Sequence, residues 1–159
     1  MAQVPARKVF LGGPFKSVLD PGTGQMYARE RELFGALIRR LEDDGCEVHN
    51  AHRREGWGSA FMTPEECTKV DFTEISRCDV FVALPGYPAS PGTHVEIGWA
   101  SAMGKPIVLL LNDGCDYAFL VRGLHAVAQV TYLIFGENTD ICAEVSAAVL
   151  GLARERSGQ

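Results

Sequence analysis

Five short runs rich in apolar residues alternate with segments whose apolar residues recur at helical spacing. The runs are 8–11, 46–51, 79–84, 106–111 and 127–135, and the helical segments are 27–44, 63–77, 93–103 and 139–156. Strands buried on both faces of a sheet are apolar throughout, and parallel strands need helical crossovers between them. The alternation therefore predicts a doubly wound α/β domain, with a five-stranded parallel sheet and helices on both faces.

Signals at the ends of the helical segments support this interpretation. Thr63 is followed by Pro64 and, three residues after the threonine, by Glu66, a pattern typical of a helix start with a capping box. Gly45 and Gly104 stand just after two helical segments, where a helix commonly ends in a glycine. The chain of 159 residues shows no internal repeat or linker, so we expect one domain over 1–159 with its core at about 8–156.

Charge and composition exclude several classes of function. A net charge of −5 argues against a nucleic-acid polymer or an anionic membrane as partner, because both attract a basic surface. No apolar run reaches the length of a bilayer span, and residues 1–8 lack the apolar core of a signal peptide, so the cytoplasm is the expected location. The five cysteines are scattered without metal-ligand spacing, so we expect reduced thiols and no metal.

The predicted topology also indicates where a ligand binds. In open parallel sheets, ligands occupy the carboxyl ends of the strands near the point where the strand order reverses. Segments 12–16, 52–54, 85–96 and 112–117 follow predicted strands and are therefore the candidate site segments.

The loop after the first strand is long enough to suggest a binding loop, although a tolerated insertion is the simpler alternative. Gly12 and Gly13 allow close approach of backbone to a ligand, but they are not part of a GxGxxG fingerprint, which argues against NAD. Phe15 and Lys16 offer a face for a base to stack on and a cation for a polar edge or phosphate. Two ordinary loop residues are an equally good interpretation.

Segment 90–96 is the most informative part of the chain. Ser90 and Gly92 precede or begin a predicted helix, whose free N–H groups and positive dipole end suit a phosphate. Glu96 is expected in the first turn of that helix, directed toward the same pocket. A glutamate there is more often a capping residue than a catalytic one.

A second carboxylate would complete a glycosidic centre, where one carboxylate attacks the anomeric carbon and another manages hydroxyls or a proton. Asp71, on the helical segment before the third strand, is the candidate, although a solvated helix residue is the simpler interpretation. His52, Arg53 and Arg54 could supply a donor or charge. The remaining histidines, His49 among them, are expected to be structural, and no GxSxG elbow supports a serine hydrolase.

Several motifs together resemble a known family. Asp79-Val-Phe-Val-Ala-Leu, Gly92-Thr-His-Val-Glu96-Ile-Gly-Trp-Ala and Gly104-Lys-Pro-Ile-Val are similar to the nucleoside 2-deoxyribosyltransferase-like superfamily. Phe10-Leu-Gly-Gly-Pro-Phe-Lys, Asn50-Ala-His-Arg-Arg-Glu, Pro88-Ala-Ser-Pro-Gly and Asp116-Tyr-Ala-Phe-Leu-Val resemble, more narrowly, the CMP N-glycosidases of nucleoside-antibiotic biosynthesis. The likeness spans about residues 8–135.

The resemblance implies a flavodoxin-like fold and hydrolysis of CMP to cytosine and ribose 5-phosphate, without a cofactor. It implies that Glu96 attacks C1′ to give a glycosyl-enzyme, and that Asp71 orients the sugar or assists the proton. Ser90 and Gly92 would bind the 5′-phosphate, and Phe15 and Lys16 would face the base.

Further residues of the substrate site and an oligomeric state are also expected. Gly12, Gly13, His52, Arg53 and Tyr117 are expected to line the substrate site. Family members are commonly dimers or larger, so a homo-oligomer is expected.

Some family features are absent or altered in this chain. Val9 and Ala118 stand where mammalian nucleotide-hydrolysing relatives carry tyrosine and serine, so those two roles are not transferred. A relative that acts on hydroxymethyl-CMP carries arginine at the position of Lys16, so the lysine of this chain favours CMP over hydroxymethyl-CMP as substrate. The sequence does not decide whether dCMP is also a substrate. Alternative functions are a base-exchanging nucleoside 2-deoxyribosyltransferase and a non-catalytic nucleotide sensor.

Overall fold

The central sheet has the predicted number and direction of strands. A computed structural model describes residues 6–157, with side-chain surroundings for 6–152, so both ends of the expected domain 1–159 lie outside the described residues. All neighbouring strands are parallel, in the order β2-β1-β3-β4-β5, which is the flavodoxin-like order. The strands are β1 Arg7–Gly12, β2 Cys46–His49, β3 Val80–Ala83, β4 Ile107–Asn112 and β5 Val130–Phe135.

Helices connect these strands and cover both faces of the sheet, as predicted. Their bounds are α1 Ala28–Asp43, α2 Ala51–Arg54, α3 Pro64–Arg77, α4 Pro91–Ala102, α5 Phe119–Arg122 and α6 Ile141–Ser157. The start of α3 has the predicted capping box: Thr63 Oγ1 accepts from the Glu66 N–H, and Glu66 Oε2 accepts from the Thr63 N–H. None of the helices within residues 6–157 is long and apolar enough to cross a membrane.

Alternation along each strand divides the core into two clusters. Val9 and Leu11 of β1 belong to the cluster under α1 and α6, whereas Phe10, between them, belongs to the cluster under α3 and α4. Successive side chains of a strand point to opposite faces, so each strand supplies both layers. The second cluster lies beneath α3 and α4, which carry the two candidate carboxylates. Packing of Ile75 and Ile97 into this cluster positions the two helices on the sheet.

Of the element boundaries that differ from the sequence-based prediction, three have an identifiable local cause. β2 ends at His49 rather than continuing to residue 51, because the Asn50 side chain accepts from the Arg53 N–H and starts the short helix α2. α4 begins at Pro91, since Ser90 is its N-cap and proline is favoured at the first helical position. β5 begins at Val130 because residues 124–126 form a 3₁₀ turn.

Candidate active site

The carboxyl ends of β1 and β3 form the crevice in which the candidate site lies. The chain leaves β1 for β2 on one side of the sheet, and β3 to β5 extend on the other, so the strand order reverses between β1 and β3. Gly12 is paired with Ala83, and the Leu84 N–H donates to Gly12 O at 3.1 Å, so both strands end level. The loops that follow them therefore open onto one crevice, where this class of fold binds ligands.

The N-terminus of α4 borders this crevice. Ser90 Oγ accepts from the Thr93 N–H at 3.4 Å and from the Thr93 hydroxyl at 2.9 Å, and the Ser90 N–H donates to Pro85 O at 3.0 Å. Gly92 is exposed, and a Cβ placed on it would meet no heavy atom within 4 Å. Open space beside a capped helix N-terminus is suited to an anion such as a phosphate.

Glu96 lies in the second turn of α4, one turn later than predicted, because the helix starts at Pro91. Gly92 and Glu96 are four residues apart and so share a helix face, with Gly92 nearer the N-terminus. A Cβ on Gly12 would lie 2.8 Å from Glu96 Oε2, so the carboxylate rests on the glycine that ends β1. The side chain thus reaches into the crevice.

The electrostatic surroundings of Glu96 favour its protonated form. Burial raises the pKa of Glu96, the nearby negative charge of Asp71 raises it further, and the positive charge of Arg54 only partly opposes this, leaving a pKa of about 8. A carboxyl group whose pKa is displaced this far within a crevice is typical of a functional site. The charge of Asp71 raises the pKa of Glu96, which indicates that the two carboxylates lie near each other.

Asp71 is a buried residue of α3, held in a charged network, and not the solvated helix residue of the simpler interpretation. Its side chain accepts from Arg54 Nη1 at 2.6 Å, and His49 Nε2 lies 3.7 Å from the same Oδ1. Burial alone would raise the pKa of Asp71, but the polar contacts with the His49 ring and the Arg54 guanidinium, together with the positive charge of Arg54, place it below the usual value. Asp71 is therefore ionised at neutral pH.

His52 lies beneath the loop that follows β1. Its Nε2 is 2.8 Å from Pro14 O, its Nδ1 is 3.0 Å from Asn50 Nδ2, and its ring stacks between Phe15 at 4.7 Å and Phe34 at 4.2 Å. Because the Asn50 amide can only donate to Nδ1, the proton is on Nε2 and is donated to Pro14 O. Burial lowers the pKa of His52 to about 4, so the ring stays neutral. It supports Phe15 from below.

Phe15 is the half-buried residue that faces the loop's outer side. Its ring lies 5.4 Å from Phe61 at a tilt of 51°, so two aromatic rings stand at this rim of the crevice. Lys16 follows at the start of a 3₁₀ turn and is exposed. Gly13 packs against Phe34, whose Cζ would be 2.5 Å from a Cβ on Gly13, so this glycine serves the packing of the loop.

The structure places two further predicted residues, Arg53 and Tyr117, away from the two carboxylates. The Arg53 guanidinium donates to Glu42 Oε1 and to Val48 O, both at 2.7 Å, which directs it toward α1. The structure does not bring it to Glu96, because neighbouring residues of the short helix α2 point in different directions. Tyr117 lies at the end of β4, where its hydroxyl accepts from the Asn112 N–H at 2.8 Å.

Arg54 and His49 are the residues that the sequence interpretation undervalued. The sequence indicates Arg54 only as a possible donor or charge, Arg53 is the arginine expected to line the substrate site, and His49 is expected to be structural. Alternation in β2 gave a usable signal: Val48 faces α1, so His49 faces α3 and Phe10, with which it stacks at 5.3 Å. The sequence contains no such signal for Arg54, since its direction depends on the helical turn of α2, where no helix is predicted.

Metal binding finds no support in the described residues. Between residues 6 and 157, no group of three or more histidine, cysteine, aspartate or glutamate side chains is arranged to hold a metal ion. The five cysteines are unpaired.

Fold and site together define a class: a flavodoxin-like α/β protein with two interacting carboxylates at the topological switch point, next to a helix end suited to a phosphate. The family model for nucleoside 2-deoxyribosyltransferase matches residues 22–157. The chain belongs to the nucleoside 2-deoxyribosyltransferase family.

Solved structures resemble this chain along most of its length. The Clostridium botulinum CMP N-glycosidase BcmB is 40% identical, with a TM-score of 0.66 over 87% of this chain and 98% of that one. BlsM, solved in solution, is 49% identical, with a TM-score of 0.81 over 97% of this chain and 95% of that one. A conserved protein from Enterococcus faecalis V583 shares the fold at 16% identity and a TM-score of 0.51, covering 98% of this chain and all of the other. No curated protein gives a match.

Proposed function

We propose that this protein is an enzyme that hydrolyses the N-glycosidic bond of CMP, giving cytosine and ribose 5-phosphate. The observation that carries the proposal is the pair of interacting carboxylates, Glu96 and Asp71, at the switch point of a chain 40% identical to a CMP N-glycosidase. The resemblance to the blasticidin S pathway CMP hydrolase makes nucleoside-antibiotic biosynthesis the proposed setting.

The 5′-phosphate is proposed to bind at the N-terminus of α4. Ser90 caps the helix and Gly92 leaves open space on the face that leads to Glu96. The Gly92 N–H supplies a donor there, since Pro91 has no N–H and the Thr93 N–H is donated to Ser90 Oγ. Four residues, a rise of about 6 Å, separate Gly92 from Glu96 along the helix axis. A nucleotide held by its phosphate at one end would have its sugar within reach of the carboxylate.

We propose that Glu96 acts in two displacement steps. Its ionised carboxylate attacks C1′, the C1′–N1 bond breaks with its electron pair passing to cytosine, and cytosine takes up a proton. Water then attacks C1′ of the ribosyl-enzyme, which releases the Glu96 carboxylate and ribose 5-phosphate with net retention. Asp71 is proposed to stay ionised and orient the sugar hydroxyls. Holding the phosphate lowers the barrier by positioning, because the reaction within the complex is unimolecular.

The base is proposed to lie at the aromatic rim. Phe15, supported on its inner side by the neutral ring of His52, offers a face for stacking, and Lys16 supplies a cation. Gly12 and Gly13 have no side chains, so the end of β1 leaves room for the sugar. Tyr117 lies beside the end of β4. Lys16 favours CMP over hydroxymethyl-CMP as the substrate.

A panel of four nucleotides and nucleosides tests this function directly. Purified protein incubated with CMP, dCMP, UMP or cytidine should release free base from CMP, with cytidine at least about 10²-fold slower because it lacks the phosphate grip. Chromatography of the free base measures each rate. Adding a second free base tests the transferase alternative, which predicts a new nucleoside and equal use of cytidine; binding of CMP without any cytosine would leave only the sensor.

We also propose that the protein is a homodimer or larger homo-oligomer that works in the cytoplasm. An apolar surface on α3 and α4 supports self-association: Phe72 is 45% and Val95 52% exposed, and the Phe72 ring meets Trp99 edge-on at 5.3 Å. Adjacent exposed apolar side chains of this kind mark interaction surfaces. Sedimentation velocity would contradict the proposal by showing a monomer at micromolar concentration.

A further inference from the structure

Arg54 is the positive charge of the network around the two carboxylates. Its Nη1 donates to Asp71 Oδ1 at 2.6 Å and lies 2.9 Å from His49 Nε2. Its side chain is 19% exposed, and Glu55 Oε1 lies 3.9 Å from Nη2. The charge therefore faces the site and not solvent.

The rest of the Arg54 guanidinium makes no hydrogen bond within the described chain. Nε and Nη2 are buried without a partner, although buried donors of this kind are almost always satisfied in proteins. A structural arginine would gain more stability from a position where more of its nitrogens are bonded, as in Arg53, whose two terminal nitrogens donate to Glu42 Oε1 and Val48 O. The position of Arg54 therefore secures its bond to Asp71 but leaves two of its nitrogens without a hydrogen bond, which costs stability.

We propose that Arg54 is a positioning residue of the glycosidic site, whose guanidinium fixes the Asp71 carboxylate in place and compensates its negative charge beside Glu96. This role rests on the proposed function only in so far as Glu96 is the nucleophile. Without Arg54, the negative charge of Asp71 would act uncompensated on Glu96, and neighbouring like charges cannot both ionise easily.

The charged and titratable groups around Glu96 define which interactions the test has to separate. They come from β2, from α2 and the residue that follows it, and from α3. They are His49, Arg54, Glu55, Asp71 and Glu74. Arg54 is the one permanent cation of this group among the described residues. Replacing Arg54 by a neutral residue makes the net charge around Glu96 more negative, whereas neutralising any of the carboxylates makes it less negative.

The test is the titration of Glu96 in the folded protein, followed by ¹³C NMR of its carboxyl carbon and assigned with Glu96→Gln. In the parent, the carboxyl should titrate near pH 8, and kcat/KM for CMP should rise with pH through the same range. In Arg54→Gln the titration should move up by about one pH unit, and kcat/KM at pH 7 should fall about tenfold. Raising the pH to 9 or above should restore part of that loss.

Two further variants separate charge from position. Arg77→Gln removes the same charge from an exposed site on α3, six residues from Asp71, and should leave the Glu96 titration and kcat unchanged. Arg54→Lys keeps the charge and is expected to fold, so the titration should stay within about half a pH unit, while kcat falls several-fold because lysine lacks the planar fork.

Three outcomes would overturn the role of Arg54: an unmoved titration in folded Arg54→Gln, an equal shift in Arg77→Gln, or parental kcat in Arg54→Lys. If Arg54→Gln does not fold, Arg54→Lys decides alone by its kcat. The NMR titration does not require turnover. A parent that releases no cytosine would therefore reject the proposed function, while the titration would still judge Arg54.

Discussion

Replacing Glu96 by glutamine should lower kcat for CMP hydrolysis on the order of 10⁴-fold or more, the scale of loss when a covalent nucleophile is removed. Glutamine has the same shape but no negative charge with which to attack C1′. CMP should still bind, because the proposed phosphate site at Ser90 and Gly92 is unchanged. Cytosine release over time measures the first effect, and calorimetric titration with CMP measures the second.

The same substitution also predicts a change in stability whose sign depends on pH. The folded pKa of Glu96, about 8, lies above the ordinary glutamate value of 4.5, so folding disfavours the ionised form. This cost is absent below pH 4.5, grows between pH 4.5 and 8, and is complete above pH 8. Glu96→Gln removes it, so the variant should melt at a higher temperature than the parent at pH 9 and at a similar one at pH 5.

Glu32→Gln, at an exposed carboxylate of α1, is the matched control and should leave kcat and the pH dependence of melting unchanged. Robust turnover in both Glu96→Gln and Glu96→Ala would remove Glu96 from the mechanism. Turnover lost together with CMP binding would instead show that the carboxylate is required for the pocket itself.

The sheet could be predicted from the sequence because its strands are buried on both faces. Residues 79–84 and 106–111 are apolar at almost every position, and only a central parallel strand calls for that pattern. Boundaries were less predictable where side chains decide them. The Asn50 side chain ends β2 by capping α2, and that contact is local but has no periodic signal.

The site was predictable to the level of its segments but not to the level of its contacts. Segment 90–96 was chosen for its helix start, and the structure places Glu96 in the crevice, against Gly12. Which of the two adjacent arginines meets Asp71 depends on one helical turn, since a shift of one residue rotates the side chain by about 100°. Long-range pairing of α2 with α3 cannot be read from spacing along the chain.

Gly12→Ala should lower kcat for CMP hydrolysis about 10²-fold while changing stability little. The added Cβ would lie 2.8 Å from Glu96 Oε2 and 3.2 Å from Phe10 Cε1. The carboxylate is the end of a flexible side chain, so it can move away, and the Phe10 ring needs to give by only a few tenths of an ångström. A displacement of about an ångström from C1′ is enough for the loss in rate.

Gly13→Ala, one residue further along, should have the opposite effect. Its Cβ would lie 2.5 Å from Phe34 Cζ, and the Phe34 ring is buried at 1% exposure and stacked on His52 at 4.2 Å, so it cannot yield. Overpacking of a core of this kind costs about 1–3 kcal/mol of unfolding free energy. Urea unfolding and initial rates of cytosine release, measured on both variants, separate the two effects. Equal destabilisation by both substitutions, or undiminished kcat in Gly12→Ala, would show that Glu96 does not act from its place against the end of β1.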